Sequence, residues 1–178
     1  MNPMAGDQMA AQLAQFSSLE QLQQINSTLA GQQTASGSLL GAVQASAAIN
    51  TIGHTVVAAG NAVQIGGTNG STSVTANLAG AGATGTLHIF NAAGVEVGKR
   101  ELGAMAGGKQ TFPIGDAAKG LSDGAYTYSI DVKDATGGDV AVQTYTTGKV
   151  DGISSGTNGI VLNIGGIVVP YSSVIQVN

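Results

Sequence analysis

Three features of this sequence specify a mainly β protein with an N-terminal helical segment. Apolar residues between positions 9 and 29 recur at steps of three or four, the spacing of one helix face. From Ile52 onward the pattern changes to short apolar runs separated by Gly and Asn, the mark of small β architectures. Gly, at 28 of 178 residues, stands at about twice its average share, which suits a chain full of tight turns.

The helix covers residues 5–30, and its apolar positions are Met9, Leu13, Phe16, Leu19, Leu22, Ile25 and Leu29. They lay one stripe that winds slowly around the helix, as a seam between helices does. The remaining positions are mainly Gln, Ala and Ser, so the outer face is polar without being ionic. A helix of this kind with no helical partner in the β-rich remainder needs another surface, and a second copy of itself is the economical one. Ser17-x-x-Glu20 has the form of a capping box and marks either a restart near Ser17 or two wet-face residues of an unbroken helix. Residues 31–37 (Gly-Gln-Gln-Thr-Ala-Ser-Gly) are expected to break the helix, and 38–50 to form a second, weaker one.

Strands are expected at 56–58, 63–65, 72–78, 86–90, 95–102 and 110–114, then at 125–132, 140–147, 150–153, 160–164, 167–169 and 174–177. Asn91-Ala-Ala-Gly94 and Ala135-Thr-Gly-Gly138 are natural hairpin turns because Gly supplies positive φ. Tyr126 and Tyr128, two apart, share one face of their strand.

Composition excludes several function classes. Charged residues make up 9% of the chain, against about 25% in ordinary soluble proteins. The first Lys or Arg is Lys99, so the preceding residues carry only Asp7, Glu20 and Glu96 as formal charges. With a net charge of −4, the chain has no electrostatic basis for binding nucleic acid or an anionic membrane. The absence of Cys removes disulfides, thiolate catalysis and Cys-based zinc sites together. Met1 is followed by no basic n-region and no continuous apolar h-region, so an exported chain would use a signal outside those rules. The apolar stretch 159–175 is interrupted by Asn163, Gly165, Gly166 and Pro170 and does not read as a membrane helix.

Three strings resemble catalytic motifs and lack their context. Gly80-Ala-Gly-Ala-Thr-Gly85 has dinucleotide-loop spacing, but the β-type run Thr86–Phe90 comes next, where a helix must open. Gly103-Ala-Met-Ala-Gly-Gly-Lys109 resembles a phosphate loop, with Gln110 where magnesium binding needs Ser or Thr. Gly152-Ile-Ser-Ser-Gly156 resembles a nucleophile elbow, yet no Asp, Glu or His follows Ser154. His54 and His88 have no neighbour at metal-ligand spacing, and Asp131, Asp134 and Asp139 ring a Gly-Gly turn without calcium-loop spacing. Glu96 and Glu101 share a strand with no matching acid that the sequence identifies. No active site, cofactor or metal is expected, and the chain does not read as an enzyme.

The run QLAQFSSLEQ (residues 12–21), preceded by Asn2-Pro3-Met4, resembles the N-terminal region of the bacterial flagellar hook-capping proteins. Ile52-Gly-His-Thr-Val56, Leu87–Gly94, Leu121-Ser-Asp-Gly-Ala-Tyr126, Gly148–Gly152 and the ending Gly165–Ile175 are similar to elements of the same family. Residues 5–11 depart from its usual Met-Asp-Asn-x-Glu-Phe. Phe112-Pro-Ile-Gly115 lacks the Trp of its Phe-x-Trp-x-Gly motif, so a large core ring is replaced there. The chain starts inside the family's Gln-Asp-Pro-Leu-Asn-Pro-Met segment; either it is trimmed or the export-linked region lies outside it.

The resemblance implies a fibronectin- or immunoglobulin-like β-sandwich inserted into a small Tudor-like β-barrel. Mapped onto this chain, residues 1–50 are the helical assembly segment, 51–79 plus 148–178 the barrel, and 80–147 the sandwich. It also implies a non-enzymatic scaffold at the distal end of the growing hook, exported by the flagellar secretion apparatus. Its partners would be hook protein subunits and further copies of itself, a pentamer by analogy with other flagellar caps. The competing reading is an extracellular adhesin or carbohydrate-binding β module, for which Tyr126 and Tyr171 would have to supply the aromatic platform.

Overall fold

The computed structural model describes residues 3–67, 70–156 and 159–178; Asn2 of the Asn2-Pro3-Met4 segment lies outside them. The chain divides into two compact units, Met1–Val43 and Gln44–Asn178.

One helix, α1 (Pro3–Ile49), replaces the two expected. Pro3 stands at its first position, where a missing N–H costs nothing. The expected break at 31–37 does not occur. Gly31 and Gly37 each weaken a helix by about 1 kcal/mol relative to Ala, but neither removes a backbone hydrogen bond as Pro would. Thr34 and Ser38 turn their hydroxyls onto the carbonyls of Ala30 and Thr34, both at 3.1 Å, so these polar side chains are satisfied within the helix. Ser17 and Glu20 are exposed residues of an unbroken helix. The helix stops at Ile49, where Thr51 donates both its N–H and its hydroxyl to the Ala48 carbonyl. Gly53 then turns the chain at φ 86°.

Every expected strand forms: β1 (Thr55–Ala59), β2 (Ala62–Ile65), β3 (Ser73–Leu78), β4 (Thr84–Phe90), β5 (Glu96–Glu101) and β6 (Gly108–Pro113) in the first half. β7 (Gly124–Lys133), β8 (Val142–Lys149), β9 (Gly152–Gly156), β10 (Gly159–Ile164), β11 (Ile167–Pro170) and β12 (Val174–Val177) complete the set. They form a five-stranded sheet β12-β1-β8-β3-β6, a four-stranded sheet β2-β7-β4-β5 and a three-stranded meander β11-β10-β9.

Alternation decides which faces meet. Val74, Ala76 and Leu78 of β3 point one way, and Leu87 and Ile89 of β4 and Tyr128, Ile130 and Val132 of β7 point back at them. The result is a two-layer sandwich. Phe112 and Ile114, 6% and 1% exposed, both enter this core, so an aliphatic group lies beside Phe112 where the family's motif has Trp. A smaller core gathers Ala48 from the end of α1, Val56 and Ala58 from β1, Val150, and residues of β10 and β11. This Tudor-like portion is unclosed: among the described residues the meander and the five-stranded sheet stay separate.

β2 and β3 pack against the larger core. β2 pairs with β7 and β3 with β6 and β8, which carries Val63, Ile65 and the β3 residues into the larger core. The strand joining the two cores is β8. Its residues 142–145 pair with β3 and its residues 145–149 with β1, so it passes from one core to the other in mid-strand.

The Asn91–Gly94 turn is a hairpin, with Asn91 Oδ1 accepting the N–H groups of Ala93 and Val95, both at 3.0 Å. The Ala135–Gly138 turn is only the start of one. After the Lys133–Asp139 bridge, β7 and β8 go to different sheets.

Glycine is required where β5 meets the short 3-10 turn Gly115–Ala118. A β-carbon on Gly98 would run into the Ala117 carbonyl oxygen, a backbone atom with no rotamer to retreat into. Gly98→Ala is therefore expected to destabilise the sandwich by about 1–3 kcal/mol in denaturant unfolding. The control is Gly80→Ala, whose added methyl meets nothing within 4 Å and should change little.

Candidate functional site: an uncharged apolar helix

All seven apolar positions read from the sequence lie in α1 and are exposed, from 53% at Ile25 and Leu29 to 70% at Phe16. Leu39, Leu40 and Val43, which the sequence reading left out, continue the exposure along the same helix. A monomer rarely leaves so many large apolar side chains in water along one element.

They do not form the single winding seam expected. At about 100° per residue, each step of three falls about 60° short of a full turn. The steps Phe16–Leu19–Leu22–Ile25 are all of three, so Ile25 points about 180° away from Phe16. The stripe thus resolves into two opposed flanks. The first carries Met9, Leu13 and Phe16; the second carries Leu22, Ile25 and Leu29 and runs on through Leu40 and Val43. Leu19 lies between them. Residue separations multiplied by the helical turn would have revealed this from the sequence.

Four hydroxyls of the helix are bonded within it. Ser18, Thr28, Thr34 and Ser38 each donate to the carbonyl four residues earlier, at 2.8 to 3.1 Å. Between Gln8 and Ile49 the only formal charge is Glu20. Such a surface can be covered with no ion to desolvate along most of its length. No helix among the described residues is long and apolar enough to cross a membrane.

Several ionisable groups of the β part are engaged locally. Glu96 Oε2 lies 2.8 Å from His88 Nδ1, and Asp131 Oδ2 lies 3.5 Å from Nε2 on the other side, across neighbouring strands. The sequence could not pair these groups because the contacts are diagonal in the sheet and depend on a bulge between Ile89 and Phe90. Asp134 accepts the N–H groups of Thr136 and Gly138 and the Thr136 hydroxyl, which holds its carboxyl below the usual carboxylate range. Asp139, 2.6 Å from Lys133, keeps that ammonium above its usual range. Among the described residues no group of three or more His, Cys, Asp or Glu is placed to hold a metal ion.

The motif-like strings take ordinary places. Gly85 lies within β4, and Gly152–Gly156 is β9. Lys109, in β6, stands 5.5 Å over the Tyr145 ring and donates to Gln176 Oε1. Tyr126 packs half-buried against the larger core and Tyr171 against the smaller, so neither ring lies open as a sugar platform.

Comparison with known proteins matches two family models. The FlgD Tudor-like domain covers residues 43–175, and the N-terminal region of the flagellar hook capping protein covers residues 1–31. A search of curated proteins finds no match. Among solved structures, FlgD from Xanthomonas campestris, described as giving insights into the hook capping essential for flagellar assembly, is 26% identical. It covers 72% of this chain and 95% of its own, with a TM-score of 0.58. FlgD from P. aeruginosa shares the fold at 21% identity, with 72% and 98% of the chains covered and a TM-score of 0.55. With the first model spanning most of its length and the second its first 31 residues, this chain belongs to the FlgD family of flagellar hook-capping proteins.

Proposed function

We propose that this protein caps the growing flagellar hook as a non-enzymatic scaffold that promotes polymerisation of hook subunits. The observation that carries the reading is the exposed helix: large apolar side chains in water and almost no charge. That surface suits contacts that form and release, because covering it strips little water from ions. Its partners are hook protein subunits and further copies of the chain, with a pentamer as the copy number by analogy with other flagellar caps. The working place is the distal end of the hook, reached through the flagellar secretion apparatus. The non-enzymatic reading rests on the sequence, in which the elbow-like Ser154 is followed by no Asp, Glu or His.

Native mass measurement and cross-linking, with and without hook protein, test this reading. Oligomers, or complexes with hook subunits, are expected. A strict monomer at high concentration that hook protein leaves unchanged would count decisively against it.

A further inference from the structure

We propose that the open side of the sandwich, where β7 and β8 part, takes up an extended segment of another protein as an added strand. The segment pairs antiparallel to β7 and carries a basic side chain opposite Asp131. This site is separate from the helix and goes beyond the capping reading.

Alternation along the two strands fixes which way their main-chain groups point. Lys133 turns its carbonyl to the Ala83 N–H beside β4, whereas Tyr128 donates to Asn61 and Val132 accepts from Val140 on the other side. Ile130, in step with Tyr128 and Val132, points its N–H and C=O away from β4. A longer β2 would cover them, but β2 pairs only with Gly124–Thr127. Just before β8, Ala141 gives its carbonyl to Ala79 beside β3, so Val142 turns the other way. Opposite Leu87 and Leu78, Ile130 and Val142 form the non-hydrogen-bonded kind of pair. Among the described residues their N–H and C=O groups have no other partner. Unpaired edges of this kind are templates for a further strand.

The two edges face a cleft of about 420 Å³, walled by Ser129–Val132 on one side and Val140, Val142 and Thr144 on the other. The Val132–Val140 bond closes one end and the Tyr128–Asn61 bond the other. Between them lie about 13 Å of β7, at about 3.3 Å per residue, which is room for three residues of an extended chain. Val140 and Val142 are half-buried against the larger core, so an apolar side chain opposite Ile130 would complete their cover.

Charge selects the occupant. The Asp131 side chain is 75% exposed and reaches only His88 Nε2 among the described residues, at 3.5 Å, too long for a good hydrogen bond. Asp139, at the closed end, is already held by Lys133. Opposite charges attract across a ladder and like charges repel, so Lys or Arg suits the place beside Asp131. Antiparallel pairing then sets the order basic, apolar, polar, opposite Asp131, Ile130 and Ser129. This chain is a poor donor of such a segment. Lys99, Arg100, Lys109, Lys133 and Lys149 lie in strands already paired, and Lys119 is followed by Gly120. The occupant is therefore a different protein.

Nuclear magnetic resonance on the isotope-labelled full chain tests this, with the capped peptide Thr-Lys-Val-Thr-Thr added to millimolar concentration. Amide shifts should be confined to residues 129–132 and 140–144. Exchange of the Ile130 amide, fast in the free chain, should slow about tenfold at saturation. The same peptide N-methylated at Val cannot donate to the Ile130 carbonyl and should leave the spectrum unchanged. Asp131→Lys, at an exposed position, should weaken the Lys peptide about fivefold and favour a peptide with Glu in its place. No shifts with the first peptide, shifts that survive N-methylation, or binding indifferent to the charge at position 131 would each overturn the proposal. All three would leave the capping reading standing, because it does not use this cleft.

Discussion

Phe16→Asp or Leu22→Asp is expected to abolish assembly while leaving both β cores folded. In the single chain Phe16 is 70% exposed and Leu22 57% exposed, so a carboxylate at either position stays in water and costs the monomer little. In the assembly the same carboxylate is covered without a partner, which costs several kcal/mol. A loss of about 4 kcal/mol is about a thousandfold in affinity, enough to dissolve a modest interface at working concentrations. Neighbouring copies would add repulsion, since each brings the same new charge and the first 98 residues hold no Lys or Arg to answer it. Native mass measurement should show monomers, and thermal unfolding of the β part should match the parent. Undiminished assembly in both variants would remove the helix from the interface.

Much of this molecule was legible because single residues carry their own physical signals. The alternation in Val74–Leu78 and Thr84–Phe90 gives the strand and its buried face together. Asn91 and Gly94 specify their turn by a side-chain acceptor and a positive φ. The apolar spacing of residues 9–29 marks a helix without reference to anything else. The features that stayed hidden depend on partners distant in sequence. Nothing in Val142–Lys149 announces that the strand changes neighbours at Tyr145. Nor does Ala135–Gly138 show that its two strands diverge into different sheets, since a turn encodes a reversal of direction and not the choice of sheet. Gly31 and Gly37 misled for the opposite reason. A glycine lowers helix propensity without forbidding the helix, and the local bonds of Thr34 and Ser38 are not visible in composition. As for the helix, its apolar positions were readable, and so was their division into two flanks, which lies in the accumulated turn between Phe16 and Ile25.

Tyr128 is the second position where a single change should have a large effect. It is 1% exposed in the larger core, and its ring packs between the sheets. Its hydroxyl lies 2.7 Å from the carbonyls of both Thr75 and Tyr145 and accepts the Tyr145 N–H at 3.0 Å. One phenol thus ties β7 to the five-stranded sheet where β8 passes from β3 to β1. Tyr128→Phe keeps the ring and strands these backbone groups, at an expected cost of about 1–3 kcal/mol. Tyr128→Ala also empties the site and should cost about 3–5 kcal/mol, by analogy with truncating a buried Phe. Urea unfolding of the two variants separates the polar part from the packing part; a Phe variant as stable as the parent would deny the hydroxyl its role. Alkali provides an independent check. Burial pushes the phenol up to about 12, against the opposing pull of the bonds to Tyr145 and Thr75. The unfolded chain gives up this proton near pH 10 while the folded chain holds it to about 12, so the unfolded state binds fewer protons in between. Stability contributed by the neutral phenol is therefore complete below pH 10 and lost as pH rises through 12, by about 2–3 kcal/mol. The Phe variant has no such proton to lose, so the parent's advantage over it should shrink across that window. A gap between parent and variant that stays constant from pH 9 to 12 would show that Tyr128 is not the buried phenol described.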